Sequence, residues 1–269
     1  MEVIFYLIIF LFGLVVGSFL NCVIYRLALP NFSLKNLRGR SFCPHCKHTL
    51  SWQDLIPLLS FIILKRKCRY CRQKISFQYP LVEIATGLLF LQVLNFSASG
   101  GPAEGWQFLL STFYFLIVAC FLIVIFVYDL KHFIIPDKIV YPAIIITLIF
   151  NLQFTIFNEF SIFNYSILSA LGAAAFFLAI IIVSKGRWMG LGDVKLAFFM
   201  GLLLGFPNIL VALFFAFLIG AIIGIGLILA KRKTLKSEVP FGPFLVTGTF
   251  IAMFWGQAII FWYLRLFII

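Results

Sequence analysis

The chain has 269 residues, 63% of them hydrophobic and only 11% charged, with a mean hydropathy of +1.12 and 35 phenylalanines. That is too little polar surface to coat a soluble globule, so the composition points to a polytopic membrane protein of about eight spans of roughly 20 residues. A net charge of +12 would suit a nucleic-acid partner, but the placement of the cations gives them another task.

The first apolar run, Val3 to Tyr25, carries no charge and stops at Arg26. Glu2 stands where a signal peptide needs a basic flank, and no small-residue cleavage site ends the run, so it is expected to remain as a first span with its N-terminus outside. Gly13 and Gly17-Ser18 lie four residues apart on one helical face, which lets a second helix approach closely. Asn21, near the inner boundary, is expected to cap or bond locally.

From Arg26 to about Pro80 the composition changes, and this segment holds 11 of the 21 Lys and Arg residues. It reads as a small soluble insert between the first two spans. Within it lie Cys43-Pro44-His45-Cys46 and Cys68-Arg69-Tyr70-Cys71, separated by 21 residues. Each C-x-x-C knuckle offers two thiolates to one ion at about 2.3 Å, and two knuckles complete the closed four-sulfur site that holds structural zinc. Cys43, Cys46, Cys68 and Cys71 are therefore expected to bind zinc that organises the insert, since a closed site leaves no position for chemistry. Two short disulfides or four reduced thiols are the alternatives. Either His45 or His48 could replace a ligand, while Cys22 and Cys120, inside apolar runs, read as small buried hydrophobes. Between the knuckles, Trp52 to Leu64 is apolar, Pro-interrupted and too short to span. It is expected to lie against the bilayer as a re-entrant or interfacial piece, with Lys65-Arg66-Lys67 among anionic headgroups.

Further apolar runs cover roughly 81–97, 106–128, 139–157, 162–184, 194–206, 208–230 and 243–264, which with the first makes eight. With the N-terminus outside, the inner segments hold 20 of the 21 Lys and Arg residues, including Lys131, Lys138, Lys185, Arg187, Lys195 and the group Lys231, Arg232, Lys233 and Lys236. Only Arg265 is outside, and Glu104 and Glu159 fall in outer loops. The asymmetry explains the positive charge as orientation and contact with membrane lipids, and no nucleic acid is needed.

In this topology Asp129 closes the third span and Asp193, behind Gly190-Leu191-Gly192, opens the sixth, both at the inner boundary. Two carboxylates held close cannot both ionise easily; they share a proton, one acting as base toward water and the other as acid toward a carbonyl. Gly190 and Gly192 permit backbone turns closed to other residues and a close approach by a substrate strand. Alternatives are a solvated Asp129 paired with Lys131 and an N-capping role for Asp193. Asp137 is a rival for Asp129, but after Pro136 it reads as part of a helix's first turn.

These residues carry a resemblance that covers nearly the whole chain. With Gly17-Ser18-Phe19-Leu20-Asn21, both cysteine knuckles, Tyr79-Pro80-Leu81-Val82-Glu83, Asp129 with Ile135-Pro136-Asp137, Gly190-Leu191-Gly192-Asp193 and Pro240-Phe241-Gly242-Pro243-Phe244, the sequence resembles the bifunctional type IV prepilin peptidases. These are leader peptidases and N-methyltransferases of pilus and type II secretion systems.

The resemblance implies residues 1–25 as a first transmembrane helix, 26–80 as a cytoplasmic zinc-binding insert with the methyltransferase part, and 81–269 as a transmembrane aspartic peptidase of the Gly-x-Gly-Asp type. Asp129 and Asp193 would be its catalytic pair. It implies an enzyme of the bacterial cytoplasmic membrane that cuts a basic leader from prepilins or pseudopilins and methylates the new N-terminus with S-adenosylmethionine. Glu83 is the candidate to hold the new ammonium or the methyl donor, with a headgroup-level ion pair to Arg72 or Lys74 as its alternative. Asp54, Glu83 or the headgroups would receive the basic leader. A peptidase without methylation, a zinc-stabilised proton-coupled transporter and a secretion scaffold are the other readings.

Overall fold

The structure, a computed structural model, describes residues 2–29, 39–99, 105–157, 160–230 and 239–266. Glu104, Glu159 and the cations Lys231, Arg232, Lys233 and Lys236, which the topology above assigns to loops, lie outside these. Among the described residues the regular structure is helical apart from two single bridges, Phe42 with Thr49 and Lys67 with Lys74. The long helices are α1 (Glu2–Leu27), α3 (Gln78–Ser99), α4 (Trp106–His132), α5 (Asp137–Phe157), α6 (Phe160–Ser184), α7 (Leu191–Leu204), α8 (Asn208–Leu229) and α9 (Gly242–Arg265), with the short α2 (Leu59–Ile63) in the insert. Eight long helices answer the eight apolar runs. Six of them, α1, α3, α4, α6, α8 and α9, are long and apolar enough to cross a membrane. The protein is thus a multi-pass membrane protein, and α7, at 14 residues, is the shortest of its long helices.

The chain divides into two compact units, 1–124 and 125–269, the division falling inside α4. In the first unit α1 packs on α3. Lipid tails are as apolar as leucine, so helices in a bilayer gain little from apolar contact alone and associate where small residues let backbones close up. A Cβ at Gly13 would stand 2.7 Å from Gly87 Cα, and one at Gly17 would stand 2.7 Å from Glu83 Cα, so the glycine face of α1 is spent on α3. Asn21 reaches further than a local cap. Its Nδ2 donates to the Tyr79 carbonyl at 3.1 Å, and its Oδ1 accepts from Gln78 Nε2 at 3.1 Å, fastening the end of α1 to the start of α3. Buried Arg26 then donates to the carbonyls of Gly39 and Arg40 at the entry to the knuckles.

The two knuckles repeat one backbone pattern. Cys43 N–H donates to the His48 carbonyl and Lys47 N–H to the Cys43 carbonyl; Cys68 N–H donates to the Gln73 carbonyl and Arg72 N–H to the Cys68 carbonyl, all at 2.8–2.9 Å. The fourth residue after each first cysteine, Lys47 and Arg72, takes the left-handed conformation with φ of 59° and 57°. Asp54 holds the segment between them together, accepting from Ser51 N–H and Oγ and pairing with Arg69 at 2.7 Å. Burial pushes the Asp54 carboxyl up, but the hydrogen bonds from Arg69 and Ser51 outweigh it and hold the group below its ordinary value. Asp54 is therefore engaged inside the insert and not presented to a basic leader, because Arg69 and the Ser51 turn already hold both carboxylate oxygens.

In the second unit α6 pairs with α7 and α8 with α9, while α5 lies on α6 and α7, and α7 also meets α8 and α9. Gly201 of α7 closes on Ala170 of α6, and Gly248 of α9 closes on the Ala212 carbonyl of α8, in each case nearer than any side chain permits. Thr249, fully buried, satisfies its hydroxyl on the Leu245 carbonyl of its own helix, as a polar group deep in lipid must. Substituting Gly248→Leu should therefore force α8 from α9 and destabilise the purified protein by about 1–3 kcal/mol. Gly224, which faces open space on α8, is the control: thermal unfolding in detergent should drop for Gly248→Leu and hold for Gly224→Leu, and equal melting of the two would contradict this packing.

Candidate active site

Asp129 lies one turn before the end of α4, inside the second unit, and is 3% exposed. Its Oδ2 accepts the backbone N–H of Gly242 at 3.0 Å, across 113 residues of sequence. Gly242 is the first residue of α9, and Pro243 follows it. The first N–H groups of a helix have no partner within it and carry the positive end of its dipole, so α9 offers a natural seat for a carboxylate. A Cβ on residue 242 would stand 2.5 Å from the Asp129 oxygen, so any side chain here would push the carboxylate off its N–H. The preceding Phe241 ring packs at 5.1 Å from Phe217 of α8 and 6.1 Å from Phe177 of α6, which fixes where α9 begins.

Asp193 sits in the first turn of α7 and is 9% exposed. Its Oδ2 reaches back to accept the Gly190 N–H at 3.2 Å, while its own N–H donates to the Gly190 carbonyl at 3.1 Å. It thus caps its helix from the third position, and Gly190 itself stands at the N-cap in extended conformation. Gly192 lies against the connection from α4 to α5, where a Cβ would come within 3.0 Å of Ile135 Cβ. Each carboxylate therefore rests at a helix N-terminus, Asp129 at that of α9 and Asp193 at that of α7, and α7 packs against α9. A carboxylate bound to a backbone N–H in a site with little water keeps a fixed orientation, and such charge-assisted bonds contribute about 1.5–3 kcal/mol each.

Asp137 takes no part in this pair. It opens α5, is half exposed, and binds Lys195 Nζ at 2.7 Å, with Lys195 also lying 5.2 Å over the Tyr141 ring. Asp129 is buried beneath Gly242 and is not a solvated loop group beside Lys131. Sequence reasoning singled out the Pro-Phe-Gly-Pro-Phe segment without giving Gly242 a task; the only signal was a glycine just before a proline at a helix start. Ile135 was likewise part of a motif with no stated contact.

In the first unit the four knuckle sulfurs lie within 4.8 Å of one another, and Cys43 Sγ is 3.9 Å from Cys71 Sγ. Metal–sulfur bonds of about 2.3 Å in a tetrahedron require sulfurs about 3.8 Å apart, so the cluster can hold a metal ion. All six cysteines are free thiols, so the disulfide alternative is not the arrangement found. The His48 ring packs 3.7 Å from that of Tyr70. Glu83 is 6% exposed, and its partners among the described residues are the Leu58 N–H at 2.9 Å and the Ser18 hydroxyl, not Arg72 or Lys74. It thus stands where α1, α3 and the insert meet.

Comparison with known proteins finds two family matches along the chain. Residues 11–96 match the Bacterial Peptidase A24 N-terminal domain, and residues 116–225 match the Type IV leader peptidase family. The chain is 32% identical to the prepilin leader peptidase/N-methyltransferase of Aeromonas hydrophila, over 97% of this chain and 94% of that protein. It is 35% identical to the protein of the same name from Bacillus subtilis, over 96% and 98%, and 34% identical to that of Legionella pneumophila, over 96% and 94%. No solved structure matches it significantly. With relatives of this similarity aligned from end to end, the chain belongs to the type IV leader peptidase family.

Proposed function

We propose that the protein cuts the basic leader from type IV prepilins or pseudopilins at the membrane boundary and then methylates the exposed N-terminus. The observation that carries the first step is the pair of buried carboxylates, each with one oxygen held by a glycine N–H. Asp129 and Asp193 are the catalytic pair in this reading. One, ionised, takes a proton from a water whose oxygen attacks the scissile carbonyl carbon. The other, protonated, gives its proton to the carbonyl oxygen; when the tetrahedral intermediate collapses, the carbon–nitrogen bond breaks and the leaving amine takes up a proton. The glycine N–H groups fix one oxygen of each carboxylate, so the second oxygen of each is aimed at water or substrate without reorganisation. The exposed backbone at Gly190 is where an extended substrate strand would lie.

The second step belongs to residues 26–80 in this proposal, with the peptidase in 81–269 and residues 1–25 as the first span. Zinc held by Cys43, Cys46, Cys68 and Cys71 organises the insert, consistent with the sulfur spacing. S-adenosylmethionine would be the methyl donor and would supply an electrophilic methyl group on a positive sulfonium. Glu83 is a buried carboxylate at the meeting of α1, α3 and the insert; it would balance that charge or hold the new terminal ammonium. The chain would sit in the bacterial cytoplasmic membrane with its N-terminus outside and the insert and active site on the cytoplasmic side, supported by the asymmetry of its Lys and Arg residues.

Intact mass of a prepilin incubated with membranes and S-adenosylmethionine tests both steps. Wild-type protein should remove the leader and add one methyl, while Asp129→Asn and Asp193→Asn should each slow leader loss at least about a hundredfold; cutting at the wild-type rate by both variants would make the aspartates structural. Gly242→Ala should impair cleavage while the protein still purifies folded, because the new methyl group displaces the Asp129 oxygen from its N–H. Metal analysis of the purified protein should find one zinc per chain, lost in Cys43→Ser together with methylation, whereas full methylation by a zinc-free variant would show that the metal has no part in it.

A further inference from the structure

The segment between the knuckles turns its apolar side chains outward. Trp52 is 73% exposed, Ile62 69% and Ile63 71%, and Leu59 is more than half exposed, as is Phe77 just beyond the second knuckle. On a water-facing surface such a patch marks a site of interaction. It is also firmly placed: Leu58, with φ of 60°, donates its N–H to Glu83, the sixth residue of α3, and the Arg66 guanidinium lies 3.6 Å over the Phe77 ring just before α3 begins. Six residues of helix rise about 9 Å, so the segment is fastened near the start of α3, a helix long and apolar enough to cross a membrane. After α2 and its cap Leu64 come Lys65, Arg66 and Lys67, of which both lysines are exposed.

We infer that residues 52–64 with Lys65 and Lys67 form an interfacial foot that docks on anionic lipid headgroups. Trp52, Ile62 and Ile63 enter the acyl boundary, and the two lysines bind headgroup phosphates above them. The occupant is lipid and not the prepilin, because the foot is fastened beside the start of a helix long and apolar enough to cross a membrane, and its cations attract anionic headgroups but repel a basic leader. The inference needs only that the chain crosses a membrane, and stands or falls independently of the peptidase and methyltransferase assignments.

Photocrosslinking of the full chain tests it. Protein carrying Ile62→p-benzoylphenylalanine, with Ile63→p-benzoylphenylalanine as a second reporter, is reconstituted in phosphatidylcholine vesicles with or without phosphatidylglycerol, irradiated and weighed intact. The same replacement at Gln73, exposed on the second knuckle, is the water-facing control, and an unchanged melting temperature certifies each variant as folded. Lipid adducts are expected at 62 and 63 but not at 73. They should be enriched in phosphatidylglycerol and fall on the order of fivefold with Lys65→Glu or Lys67→Glu. Absence of lipid adducts at both reporters would overturn the foot, and adducts indifferent to phosphatidylglycerol and to both lysine variants would overturn the headgroup contact. Replacement of the lipid adduct by a peptide adduct when prepilin is added would assign the patch to substrate instead.

Discussion

Helices in lipid gain little by hiding apolar surface from one another, and much of this structure follows from that. What holds α1 to α3, α6 to α7 and α8 to α9 is close approach at Gly13, Gly17, Gly201 and Gly248, where even a methyl group would meet backbone or a small neighbour. The same requirement reaches the carboxylates. Gly242 lets the end of α9 close on Asp129, and Gly192 lets the first turn of α7 settle against Ile135. Packing and site construction therefore draw on one residue type for one reason, the removal of side-chain bulk where main chains must nearly touch.

The first unit solves a different problem. Its insert is too short and too polar to build an apolar core, and it is held by a four-sulfur cluster, the Asp54–Arg69 pair and the grip of Glu83 on Leu58. The last of these ties the insert's fold to the helix pair at its base. A disturbance at the cysteines would thus be felt at Glu83, and the reverse, because Leu58 lies on the chain between the two knuckles.

Much of this could be read from the residues. The apolar runs gave the helices to within a few positions, missing mainly the polar turns that extend α4 to His132 and start α7 at Leu191. Two C-x-x-C knuckles at suitable spacing foretold the sulfur cluster, and the glycines four apart on α1 foretold a close helix partner without saying which. The carboxylate pair was legible because charge at the end of an apolar run is costly and rare. What holds the carboxylates was not. The Gly242 N–H comes from 113 residues away, and no local pattern encodes a contact of that separation. Asp54 misled for a related reason: an acid in a basic insert looks available until the fold brings Arg69 to it.

The shortness of α7 has its own physical consequence. Fourteen residues rise about 21 Å, against roughly 30 Å of hydrocarbon in an ordinary bilayer. A helix that cannot reach both faces leaves a depth that other groups must fill, and of the residues of α7 only Leu191 is exposed, the rest being enclosed by α5, α6, α8 and α9. Asp193 is in the first turn of that helix. In the proposed reaction, water would approach that turn along the exposed start of the helix, at Gly190 and Leu191.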